Sequence, residues 1–171
     1  MRPVTIPELP YAGRLSIWRC PRISGPRLVP EDQEILRSSG VTRLVCLVEE
    51  FELEMLDEGL SERAAATEAN EITFHSIPIE DFTAPSPAQY TALLNEIVPA
   101  LEAGEHVLVH CMAGLGRAGT VAASVLVDSG MQADAAIELV RWVRPGAIQS
   151  DEQERFITSV ARRDRTRIID D

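Results

Sequence analysis

The chain has 171 residues, 45% of them hydrophobic, and its 27 acidic and 16 basic residues give a formal net charge of −11. That length suits one globular domain with a sizeable core, and the acidic balance argues against nucleic acid or an anionic membrane as its main partner. All 16 basic residues are Arg, and the absence of Lys excludes a Walker-type phosphate loop and a Schiff-base lysine.

Met1 to Pro10 has no apolar run, so no signal peptide is expected. No stretch approaches the ~18 apolar residues of a membrane span, and the expected location is the cytoplasm. Leu15 to Trp18 reads as a first strand, ended by Cys20-Pro21. Pro30 to Ser38 reads as a helix, with Pro in its first turn and Gly40 just past its end. Thr42 to Val48 is a strand, and Glu50 to Asn70, rich in Glu, Leu and Ala, is helical with a break near Gly59. Ile72 to Ile77 is a second core strand, and the proline-bearing segment Pro78 to Pro87 is a loop. Ala88 to Ala103 follows as an amphipathic helix closed by Gly104.

Val107-Leu108-Val109 is a short, wholly apolar run of the kind found in central parallel strands. Ala118 to Val127 reads as a buried helix, and Ala133 to Val143 and Asp151 to Arg163 complete a helical C-terminal part. The charged tail, Arg162 to Arg167, reads as a solvated helix end. Strands followed by helices imply an α/β fold, a mostly parallel central sheet flanked by helices, in a single domain over residues 1–171. The three Cys, at 20, 46 and 111, are odd in number and widely spaced, so neither a zinc site nor a disulfide framework is expected.

The chemistry is concentrated between Val107 and Thr120, a strand, a glycine-bearing loop and a helix start. Such loops lie beyond the carboxyl ends of sheet strands, where open α/β folds bind ligands. Backbone N–H groups of a loop closing onto a helix N-terminus converge on a cavity that suits phosphate. Gly114 and Gly116 allow the backbone to curl. Cys111 opens the loop and Arg117 closes it, so both face one anion, Arg as a bidentate fork and Cys as an in-line nucleophile. The same field favours the thiolate.

His110-Cys111-Met112-Ala113-Gly114-Leu115-Gly116-Arg117 resembles the His-Cys-x5-Arg signature of the cysteine-dependent tyrosine and dual-specificity phosphatases. Its Ala-Gly-Leu-Gly-Arg core is most similar to kinase-associated phosphatase and the phosphatases of regenerating liver. Ile77-Pro78-Ile79-Glu80-Asp81, with Pro85 beyond, resembles the family's general-acid loop. Gly146-Ala147-Ile148-Gln149, with Gln153, resembles its glutamine-bearing loop.

The resemblance implies a tyrosine-phosphatase type of fold and a phosphoprotein substrate, with no metal or organic cofactor required, because Arg and backbone dipoles supply the positive charge. It implies that Met112, Ala113, Gly114, Leu115, Gly116 and Arg117 hold the phosphoryl group. Asp81 is the expected general acid, with Glu80 as the neighbouring rival. His110 is expected to orient the loop, and Gln149 and Gln153 to position the attacking water. His75 and His106 are expected to be plain strand-edge residues. Cys46 ends a strand expected beside that of Cys111, and the resemblance implies a reversible disulfide between them. Cys20 is expected to be a small buried apolar residue. Phe82 lines an aryl pocket or anchors its loop.

Ala118 departs from the Ser or Thr that most relatives carry after the Arg, so a slow second step is expected, with Thr120 as a candidate substitute. An arsenate reductase or low-molecular-weight phosphatase would carry the acid downstream of the loop, whereas Asp81 lies upstream. The remaining alternative is a phosphoprotein-binding regulatory module with little turnover.

Overall fold

A computed structural model describes the backbone of residues 2–167 and the side chains of residues 2–160. The sheet has five strands in the order β1-β2-β5-β3-β4, with β1 (Val4–Thr5), β2 (Arg14–Trp18), β3 (Arg43–Cys46), β4 (Thr73–Ser76) and β5 (His106–His110). β2, β5, β3 and β4 run parallel, and β1 closes one edge antiparallel to β2. Between them lie α1 (Pro30–Ser39), α2 (Glu50–Glu54), α3 (Leu60–Glu68) and α4 (Pro87–Glu102). After β5 come α5 (Gly116–Asp128), α6 (Ala133–Val143) and α7 (Asp151–Arg167).

Alternation along the strands divides the core. Leu15, Ile17, Val45, Val107 and Val109 join the cluster built with α4, α5, α6 and α7. Trp18, Leu44 and Leu108 turn to the opposite face, against Ile35 and Leu36 of α1. All five residues of β5 are buried, because the sheet order puts it in the middle with a layer on each side. Pro30 starts α1 and Gly40, at φ 69, ends it, as the N-terminal proline and C-terminal glycine require.

The helical stretch after β3 is in fact two helices, parted by a turn at Met55–Gly59. β1 has no counterpart in the sequence pattern, since two residues are too few to show alternation. His106 is the first residue of the central strand and is buried there, where Nδ1 donates to Ser39 O at 2.9 Å and Nε2 lies 2.8 Å from Ser16 Oγ. His75 lies on the edge strand β4, accepting from Arg43 Nη1 at 2.7 Å. The side chains of Arg162 to Arg167 lie outside the described residues. Among the described residues no helix is long and apolar enough to cross a membrane.

Candidate active site

The central strand β5 delivers Cys111 at its carboxyl end, and α5 begins five residues later. The loop between them is shaped by what holds its carbonyls. Cys20 N donates to Met112 O at 3.0 Å. Arg144 donates to Ala113 O at 3.2 Å through Nη2 and to Gly114 O at 3.1 Å through Nε. Gly119 N and Ile148 N donate to Leu115 O at 3.0 and 3.4 Å. Four successive carbonyls are thus taken by groups outside the loop. Because N–H and C=O of a peptide unit point in opposite directions, the N–H groups face the interior, which is the arrangement that binds an anion.

Gly114 is sterically required, whereas Gly116 meets only the ends of flexible glutamine side chains. Gly114 has φ 69, and a Cβ there would lie 2.3 Å from the carbonyl carbon of Trp18. A Cβ on Gly116 would lie 2.9 Å from Gln149 Oε1.

Arg117 is fully buried, and its guanidinium is clamped from behind. Nη1 donates to Glu52 Oε2 at 2.6 Å and Nη2 to Glu52 Oε1 at 2.9 Å, a bidentate pair. Nη1 also donates to Ile79 O at 2.9 Å. Nε is buried without a hydrogen-bond partner; Asp81 Oδ1 lies 3.1 Å away but off the N–H direction. A buried donor left in that state is costly unless a ligand satisfies it. Burial works against the Arg117 charge, but hydrogen bonds to Glu52 and the nearby Glu52 and Asp81 carboxylates hold it charged. Burial likewise raises the Glu52 carboxyl, and the bonds from Arg117 and from Glu49 N outweigh it, so Glu52 titrates below its ordinary value.

Cys111 is 2% exposed at the start of this loop. His110 beside it is fully buried; Nδ1 faces Cys111 O at 3.4 Å. Burial, aided by the Arg63 and Arg117 charges, pushes the His110 pKa down to about 3, so the ring is neutral. Asp81 is half-exposed at the rim, its Oδ1 accepting from Phe82 N at 3.0 Å. Glu80 points away, lining a groove of about 730 Å³ with Glu49 and Glu152. The structure therefore brings Cys111, Arg117 and Asp81 together and leaves Glu80 outside. Phe82 is 57% exposed, so it does not anchor its loop by burial.

Gln149 stands over Gly116. Gln153 is fully buried with both ends of its amide engaged: Oε1 accepts from Gln149 N at 2.8 Å and Nε2 donates to Thr83 O at 3.1 Å. Thr120 is spent on its own helix, its hydroxyl donating to Gly116 O at 2.8 Å, so it is not a substitute for the hydroxyl missing at Ala118. Cys20, Cys46 and Cys111 are free buried thiols. Cys46 lies level with His110 across the β3–β5 pairing, but it packs with Cys20 and Met112 in a cluster separate from that of Cys111. Burial pushes the Cys46 thiol up to about 11 and Cys20 up to about 12.

Glu52 and Arg144 are the site residues that sequence reasoning missed. Glu52 carries one local signal, a capping box with Glu49, whose N–H donates to Glu52 Oε2 at 2.9 Å. Arg144 carries none, since its partners lie some thirty residues away.

A profile of the family described as "Swiss Army Knife protein, DSP-PTPase phosphatase domain" matches residues 18–157. The chain is 38% identical over 96 residues to protein tyrosine phosphatase type IVA 3 of Homo sapiens, covering 48% of this chain and 56% of that one. It is 46% identical over 46 residues to the PRL-1 phosphatase of Drosophila melanogaster, 27% of this chain and 26% of that one. The chain thus spans about half the length, or less, of these curated relatives. Among solved structures, Tk-PTP in its active form superposes with a TM-score of 0.75 at 33% identity, over 95% of this chain and 99% of that one. Kinase-associated phosphatase with its catalytic-site cysteine replaced by serine gives 0.81 at 23% identity, over 95% and 93%; that likeness speaks to the fold alone.

Proposed function

Because the chain belongs to the DSP-PTPase phosphatase domain family, we propose that it hydrolyses phosphate monoesters on proteins through a phosphocysteine on Cys111. Phosphotyrosine is the leading substrate, with phosphoserine and phosphothreonine as further ones. The observation that carries this reading is the set of donors around Cys111: the Nε of Arg117, which has Asp81 Oδ1 at 3.1 Å but no aligned hydrogen bond, and the inward N–H groups of a loop whose carbonyls are tied outward. A dianionic phosphoryl group satisfies both.

In the first step the Cys111 thiolate attacks phosphorus, forming the P–S bond as the P–O bond to the substrate breaks. Arg117 and the loop amides of Met112 to Arg117 take the charge on the phosphoryl oxygens, and Asp81 gives its proton to the departing oxygen. In the second step water attacks the phosphocysteine, the Asp81 carboxylate accepts its proton, and the P–S bond breaks to release inorganic phosphate. Gln149, over the loop, orients that water in this reading, while Gln153 braces Gln149 N and Thr83 O. Ala118 offers no hydroxyl to the leaving sulfur and Thr120 is occupied, so the second step is the slow one. That same absence favours one second reading, a regulator that holds phosphoproteins with little turnover. Three free thiols suit a reducing compartment such as the cytoplasm.

Release of p-nitrophenolate from p-nitrophenyl phosphate between about pH 5 and 8 tests the reading. We expect a bell-shaped rate that vanishes in Cys111→Ser. Equal release by both proteins would end it.

A further inference from the structure

The segment carrying Asp81 is anchored in the core at its two ends, by Ile79 and Pro85. Between them nothing apolar is buried: Glu80, Asp81 and Phe82 are exposed, and Thr83 and Ala84 half-buried. A loop without apolar burial takes its conformation from hydrogen bonds and backbone sterics. Sterics alone do not favour this one. Phe82 sits at φ 60, in the left-handed region that residues other than glycine rarely adopt.

Within the loop, Thr83 N and Oγ1 donate to Glu80 O at 3.2 and 2.9 Å and Phe82 N donates to Asp81 Oδ1 at 3.0 Å; the bonds that tie it to the rest of the fold come from one turn at the start of α7. Ser150 Oγ donates to Phe82 O at 2.7 Å, Gln153 Nε2 donates to Thr83 O at 3.1 Å, and Ala84 N donates to Glu152 Oε1 at 3.2 Å. Three consecutive loop residues are thus fastened to three residues of one helical turn. That turn also carries Gln149, which stands over Gly116 of the phosphate loop, so the two loops share one support.

We propose that Ser150 is a positioning residue: with Glu152 and Gln153 it latches the acid loop, and the latch sets where the Asp81 carboxyl stands relative to Cys111 and Arg117. The proposal rests on the phosphatase reading above, in which Asp81 is the general acid. Its kinetic signature follows from what an acid does. A nitrophenolate departs with little help, whereas the phenolate of a tyrosine needs the proton. Misplacing Asp81 therefore slows poor leaving groups and spares good ones.

Ser150 has a second duty that the test must separate, because its Oγ also accepts from Gln153 N at 3.2 Å as an N-cap of α7. Ser150→Asp keeps a cap acceptor but has no proton for Phe82 O; Ser150→Thr keeps both. With a series of aryl phosphates, Ser150→Ala and Ser150→Asp are expected to lower kcat/KM about tenfold for phenyl phosphate and less than about threefold for p-nitrophenyl phosphate. Ser150→Thr should restore the wild-type dependence on leaving group. In parallel, hydrogen exchange at the amides of Phe82, Thr83 and Ala84 should quicken about tenfold in Ser150→Ala and Ser150→Asp, with β5 unchanged. Wild-type exchange at those three amides in Ser150→Asp would overturn the latch, as would a uniform loss across all leaving groups. A wild-type chain that turns over no aryl phosphate would instead remove the phosphatase reading, and the exchange measurement would still decide whether the loop is latched.

Discussion

The two loops that meet over Cys111 are held in opposite ways. The phosphate loop is set by groups that the fold cannot easily release. It springs from the central strand, runs into the fully buried first turns of α5, and has its carbonyls taken by Arg144, Cys20, Gly119 and Ile148. The acid loop stands in solvent, in a strained turn, on its own turn bonds to Glu80 O and three hydrogen bonds to the start of α7. Phosphate binding and nucleophilic attack are therefore built into the core, whereas proton delivery depends on a weaker, local arrangement. A site made this way keeps its substrate pocket when the acid is disturbed, and loses both when the core is.

Four substitutions sharpen or break that contrast. The largest effect is expected from Asp81→Asn, which should lower kcat/KM for phenyl phosphate about 10²–10⁴-fold while phosphate still inhibits as in the wild type; a parallel loss of phosphate inhibition would mean that the loops are not independent. Gly114→Ala should fail on the other side. The new Cβ meets the Trp18 backbone at 2.3 Å, and we expect a stability loss of about 2–4 kcal/mol by urea denaturation, with phosphate inhibition lost.

Glu52→Gln should come next. It removes the charge that holds Arg117, and hydrogen bonds to charged groups are worth about 1.5–3 kcal/mol. Phosphate should inhibit about 10–100-fold less well, with the leaving-group dependence unchanged.

The smallest effect concerns Asp32 of α1, which accepts from Arg19 Nη1 and Nη2 at 2.9 and 2.6 Å and from Arg22 N at 2.7 Å, on either side of the Cys20 that holds Met112 O. Burial alone would raise the Asp32 carboxyl, but hydrogen bonds from Arg19 and Arg22 win and bring it down to about 2. A carboxyl depressed in the folded state stabilises above its unfolded value of about 3.9 and loses that contribution as pH falls through its folded value. Urea midpoints should therefore decline between about pH 4 and pH 2, and Asp32→Asn should flatten that decline.

What could be read from the sequence follows the same division. The His110 to Arg117 stretch declares itself because its parts are adjacent in the chain, and so do β5 and α5 on either side. Asp81 was legible only through resemblance, since a loop carboxylate is ordinary until its neighbours are known. Glu52 was hidden among Glu49, Glu50 and Glu54, and only the folded chain shows which of them reaches Arg117. Arg144 and Ser150 act on backbone carbonyls far away in sequence, and no residue pattern encodes which carbonyl a side chain will find.

The most direct test of the account is a rapid-quench experiment that asks whether Cys111 carries the phosphate. Mixing the chain with a phosphorylated tyrosine peptide and quenching in acid should trap phosphate on the Cys111 peptide by mass spectrometry, accumulating before steady state because Ala118 leaves the second step slow. A wild-type chain that releases phosphate with Cys111 never modified, at any time sampled, would contradict it.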